Sequence, residues 1–127
     1  MLGNLKPQRA TDRIVQYFSQ WTIGASGAHT KTTGVPGTGF ASVAETAAGK
    51  YTITFSDVAI GGLIGLQLIH WPAADAEPLI LAPTDDVYSA SAKTAKYEAW
   101  AIDETAAQTE IPSGDKVTII ATFLETK

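Results

Sequence analysis

The side chains able to do chemistry are few, and their spacing groups none of them. His29 and His70 are the two histidines, and cysteine is absent. Thiolate metal sites and disulfides are therefore excluded. A histidine metal site needs several converging ligands, and neither histidine stands in a ligand-spaced motif. His70, beside Trp71 in an apolar run, reads as an interface residue or a hydrogen-bonded core residue. Ser26 lies near His29, but a serine nucleophile needs an oriented base and a strained turn, and no such signature surrounds it. Gly34, Gly37 and Gly39 would cradle phosphate only with a following Lys-Ser/Thr and a helix N-terminus. Without them the run reads as a turn or connector. The acidic groups Asp85-Asp86, Asp103-Glu104, Asp75 and Glu77 lack the D-x-D-x-D-G order of a calcium loop and read as solvated. Paired carboxylates of a glycosidase would need a deep aromatic cleft, which a domain this small rarely builds. No catalytic, cofactor or metal residue is assigned, and the reading is non-enzymatic.

The remaining candidates are the aromatics Tyr17, Phe18, Trp21, Trp71, Tyr88, Tyr97 and Trp100. Two or three exposed together would make a carbohydrate platform. On alternating strands they more often fill a core or a subunit interface. Trp21 and Trp71 are assigned to an interface, together with Leu66, Leu68 and His70.

The elements that must position these residues are short strands. Ile14–Ile23 is the first, its Tyr, Phe, Trp, Ile and Thr favouring strand over a helix capped by Thr11 or Asp12. The glycine-rich stretch 24–39 reads as loop. Phe40–Glu45 and Lys50–Ser56 follow around an Ala-Ala-Gly turn, the second with Tyr51, Ile53 and Phe55 on one face. Leu63–Trp71, apolar on both faces, suits a central strand covered on both sides, or one with a side covered by a neighbouring subunit. Leu79–Leu81, Val87–Ala92 and Lys96–Ile102 come next. Pro112-Ser113-Gly114-Asp115 is a turn signal before Lys116–Glu125, whose Val117, Ile119, Ala121 and Phe123 share a face. Seven or eight such strands predict an all-β fold, an antiparallel β-sandwich of jelly-roll type.

The chain has 127 residues, enough for one core burying roughly two-thirds of the unfolded surface. Only 17% of residues are charged, which favours burial of surface against copies or a partner. Residues 1–13 are polar, contain Pro7 and show no period, so they read as an extended arm ahead of a domain at 14–127. Fully extended, the arm reaches about 45 Å. Residues 1–31 carry Lys6, Arg9, Arg13 and Lys31 against Asp12, a balance of +3, on a body of −7. The acidic body disfavours nucleic acid, and Lys6, Arg9 and Arg13 suit docking on an acidic surface. Without an apolar signal region or a membrane-length run, the reading is a soluble protein made in a cytoplasm.

Gly34-Val35-Pro36-Gly37-Thr38-Gly39-Phe40-Ala41-Ser42-Val43 leads into Gly49-Lys50-Tyr51-Thr52-Ile53-Thr54-Phe55, and Ile111-Pro112-Ser113-Gly114-Asp115-Lys116-Val117-Thr118-Ile119-Ile120 closes the chain. This layout resembles the small β-sandwich virion proteins of tailed bacteriophages, especially head decoration (cement) proteins. The resemblance implies a homotrimer without enzymatic activity, docked on the major capsid protein at the outer surface of the head, with an N-terminal arm. A head-fibre base, a tail-associated β-sandwich and a carbohydrate-binding module are the alternatives.

Overall fold

A computed structural model describes residues 13–35, 37–56, 62–74, 77–89, 91–102 and 107–125. Lys6, Arg9 and the rest of the expected arm up to residue 12 lie outside the described residues, as do Asp75 and Asp103-Glu104. The described chain forms eight strands: β1 (Arg13–Ile23), β2 (His29–Lys31), β3 (Phe40–Ala47), β4 (Lys50–Phe55), β5 (Leu63–Trp71), β6 (Ile80–Ser89), β7 (Thr94–Trp100) and β8 (Lys116–Glu125). They build two four-stranded antiparallel sheets, ordered β2-β1-β8-β5 and β3-β4-β7-β6, packed as a β-sandwich. Among the described residues no helix is long and apolar enough to cross a membrane.

Period-two alternation decides which side chains enter the core. Tyr51, Ile53 and Phe55 of β4 are buried, as are Val117, Ile119, Ala121 and Phe123 of β8. An aromatic chain ties the sheets together. Tyr17 meets Phe123 edge-on at 5.7 Å, Phe123 meets Phe55 at 5.1 Å, and Phe40 links Phe55 at 5.3 Å to Trp21 at 6.3 Å. The contacts of Phe123 with Tyr17 and Phe55, and of Trp21 with Phe40, are edge-to-face, so that one ring's positive rim meets its neighbour's negative face.

Four sequence expectations change. β1 is a strand throughout, paired residue for residue with β8 from Arg13↔Glu125 to Thr22↔Lys116, and Arg13 belongs to it rather than to the arm. The stretch expected to be loop holds a 3-10 turn at Ala25–Gly27 and the short strand β2. β5 has the predicted bounds, yet among the described residues it lies at the edge of its sheet and not at the centre. The strands expected at Leu79–Leu81 and Val87–Ala92 merge into β6, whose register against β7 slips between Pro83 and Tyr88. β6 is also an edge, where a proline's missing N–H deprives no neighbour.

Candidate functional site

Turn chemistry and strand ends bring His70 and Asp115 together. Their side chains are 3% and 8% exposed, with His70 Nε2 2.7 Å from Asp115 Oδ2. The backbone N–H of Leu79 donates to His70 Nδ1 at 2.9 Å. Nδ1 therefore carries no proton, so Nε2 holds it and donates to the carboxylate. In a hydrolytic triad the histidine's second nitrogen faces the nucleophile. In this chain that nitrogen is occupied by Leu79, and the pair acts as a staple. Asp115 Oδ1 also accepts from Ala73 N–H at 2.9 Å, and its backbone carbonyl accepts from Ile23 N–H at 2.8 Å. Three segments remote in sequence thus close one end of the sandwich.

His29 is held between Gly27 O, which accepts from Nδ1 at 2.7 Å, and Tyr97, whose hydroxyl donates to Nε2 across 2.6 Å. Burial lowers its pKa to about 4, against a smaller opposing pull from the Gly27 carbonyl. Tyr51 stacks on Tyr97 at 4.9 Å and accepts Ile111 N–H at 2.9 Å. Burial pushes Tyr51 up to about 12 and Tyr97 well above 10. Neutral phenols beside a neutral imidazole make an interior hydrogen-bond network. Desolvation, then the carboxyl of Glu110, raises Glu45 at its margin. Among the described residues no group of three or more His, Asp or Glu is placed to hold a metal ion.

The surface is more informative. Along β1, β8 and β5 the residues pointing away from the core fall into rows set by register: Phe18–Ile120–Gln67, Gln20–Thr118–Ile69 and Thr22–Lys116–Trp71, with Ile14 beside Leu124. Ile14 is 59% exposed, Phe18 52% and Trp71 51%. Lys116 is the one charged side chain in these rows. Two cross-strand hydrogen bonds stiffen the face, Gln16 Nε2 to Thr122 Oγ1 at 3.1 Å and Trp71 Nε1 to Thr118 Oγ1 at 2.9 Å. Beside Trp71 a cleft of about 420 Å³ opens between Gln20, Pro72, Gly114 and Lys116.

The chain matches no protein-family model, no curated protein and no solved structure.

Of the residues expected at an interface, Trp71 lies on this face and Arg13 is exposed at the start of β1. Trp21 does not. It is 2% exposed in the core, its indole N–H donating to Ser19 Oγ at 2.6 Å. Leu66 and Leu68 pack against the core from the inner side of β5, and His70 serves the Asp115 staple. Phe18 is among the aromatic candidates of the sequence, but Ile14, Ile69 and Ile120 are not. For Ile14 the signal lies in β1, where 14, 16, 18, 20 and 22 alternate with the core set 15, 17, 19, 21 and 23.

Proposed function

We propose that the chain is a structural assembly protein, a decoration protein that lays the outer face of the β1-β8-β5 sheet on the major capsid protein of a phage head. The observation that carries this reading is the face itself, three adjacent strands whose outward rows expose Ile14, Phe18 and Trp71 among Gln and Thr side chains, with Lys116 beside Trp71 as their one charge. Large apolar side chains exposed together on one sheet face, with little charge among them, mark an interaction site. Finishing the burial of each half-covered Ile, Phe or Trp contributes about 1 kcal/mol. Gln16, Gln20 and Gln67 supply hydrogen bonds without the desolvation penalty of charges. In an oligomer several such faces would bind together, and linkage would multiply the modest affinity of each.

The test is cosedimentation of the purified chain with mature heads of the phage that encodes it. Decoration predicts saturable binding that Phe18→Asp abolishes while the fold persists. A chain left in the supernatant at every concentration overturns the reading.

The Trp71 cleft favours a second reading, carbohydrate binding, with the indole as stacking surface and Gln20 and Lys116 as polar groups. It predicts glycan-array signals lost in Trp71→Ala.

A further inference from the structure

Sheet edges carry unpaired backbone N–H and C=O groups, and proteins blunt them with short strands, charges, prolines or bulges. Three of the four edges in this sandwich follow that rule. β2 has three residues and ends in Lys31, which donates to Phe40 O at 2.8 Å. β3 slips register at Phe40/Ser42 and Glu45/Ala47 and carries Glu45. β6 contains Pro83 and slips after it.

β5 does not follow it. Its nine residues, Leu-Ile-Gly-Leu-Gln-Leu-Ile-His-Trp, include no proline and no Asp, Glu, Lys or Arg. Its single irregularity sits at the start, between Leu63 and Gly65, and from Gly65 to Trp71 it runs in unbroken register with β8. Among the described residues no strand pairs with its other side. An apolar notch of about 240 Å³, lined by Leu63, Ile64, Gly65, Leu66 and Pro83, opens where this edge meets β6.

We propose that β5 is a self-pairing edge: it adds antiparallel to β5 of a second copy about a two-fold axis, joining the two four-stranded sheets into one of eight strands. The second copy is the fitting occupant because the edge is self-complementary. An uncharged strand meets itself without like charges opposed. The regular run Gly65–Trp71 has Leu68 at its centre, so full overlap sets Leu68 against Leu68, Gln67 against Ile69, Leu66 against His70, and small Gly65 against large Trp71. Inward residues then face inward ones, and outward face outward, as antiparallel pairing requires.

The area suits a reversible pair. The seven paired residues run about 23 Å, and two sheets about 10 Å apart with their outer side chains make a flank roughly 20 Å deep. Two copies then bury about 900 Å² in all, the size of a weak, reversible interface. The pairing leaves the outer face free and does not depend on docking to a shell. It also differs in symmetry from the trimer implied by the phage resemblance.

The experiment is light scattering coupled to size exclusion, with loads up to about 100 μM because an interface of this size supports micromolar affinity. Wild type should show twice the 13.4 kDa of one chain. The variant Gln67→Lys/Ile69→Lys sets lysines opposite one another on the outward side, where the core is untouched, and Gln67→Glu/Ile69→Glu does the same with carboxylates. Each should be monomeric with an unchanged far-UV circular dichroism spectrum, and an equimolar mixture should recover the dimer mass. A monomeric wild type overturns the proposal, as does a trimer mass that both variants retain, or a mixture that stays monomeric. Failure to bind phage heads would overturn decoration and leave the self-pairing edge standing.

Discussion

His70 and Asp115 share a hydrogen bond of 2.7 Å whose direction is set by a third partner, the Leu79 amide on the far nitrogen of the ring. Replacing Asp115 by Ala would leave the His70 Nε2–H buried and unpaired, while the exposed Ala73 N–H turns to water. One such buried donor carries a penalty of about 1–3 kcal/mol, and a loss of that size is expected in urea denaturation. Asp115→Asn should also destabilise, because its single amide oxygen can accept from His70 Nε2–H or from Ala73 N–H but not both, and its NH2 then opposes the other donor. Stability equal to wild type in Asp115→Asn would contradict the assigned tautomer.

His29 predicts acid sensitivity. Its folded pKa of about 4 lies below the usual 6.5, so the unfolded chain takes up the proton first as the pH falls. Stability from the neutral ring is complete above about pH 6.5 and drains away between there and about pH 4, by about 3 kcal/mol in all. Glu45 opposes this trend. Its raised pKa means that its carboxylate is unfavourable in the fold at neutral pH and that protonation relieves it. His29→Asn should be less stable at pH 7, since the ring also packs on Tyr51 at 4.9 Å, but its stability should vary less between pH 7 and 4. Urea midpoints measured across that range test both statements.

The strands with one buried face were legible because alternation alone distinguishes inside from outside, as in β4 and β8. β5 shows where that logic stops. Apolar residues on both faces are demanded equally by a covered central strand and by an exposed edge that meets a partner, and only the strand order separates them. β2 was missed because three residues are too few to show a period, and β6 was divided because Pro83 reads as a terminator unless the strand is known to be an edge. The His70–Asp115 staple had no signal in spacing, since the turn at Pro112–Asp115 announces a reversal and says nothing about what its carboxylate will meet. Trp21 is different. Its place in the alternating set with Tyr17, Ser19 and Ile23 was visible, and it implied the core.

Glycine conformation gives a sharper contrast. Gly39 has φ +85°, and a Cβ there would fall within the Tyr17 ring; Gly34 has φ +81° but no neighbour within 4 Å. Left-handed backbone disfavours alanine by about 1–2 kcal/mol at either site. Gly34→Ala should show only that strain. Gly39→Ala must also displace Tyr17 from its contact with Phe123, raising the loss above about 3 kcal/mol. Thermal midpoints of the two variants compare them directly. Equal losses would mean that the ring moves aside freely.

The two tryptophans should separate by stability in the same way as they separate by position. Trp21 is 2% exposed and packs against Phe40 under the Lys31 ammonium, 5.8 Å from its ring. Truncation to Ala opens a cavity between the sheets and is expected to destabilise by about 3–5 kcal/mol. Trp71 is half exposed and contributes partial burial plus one hydrogen bond to Thr118, so Trp71→Ala should lose only about 1 kcal/mol. Guanidinium denaturation of the isolated variants measures both, at a concentration low enough that association does not contribute. A loss above about 3 kcal/mol for Trp71 would mean that its ring is buried in the folded chain, removing it from the docking face.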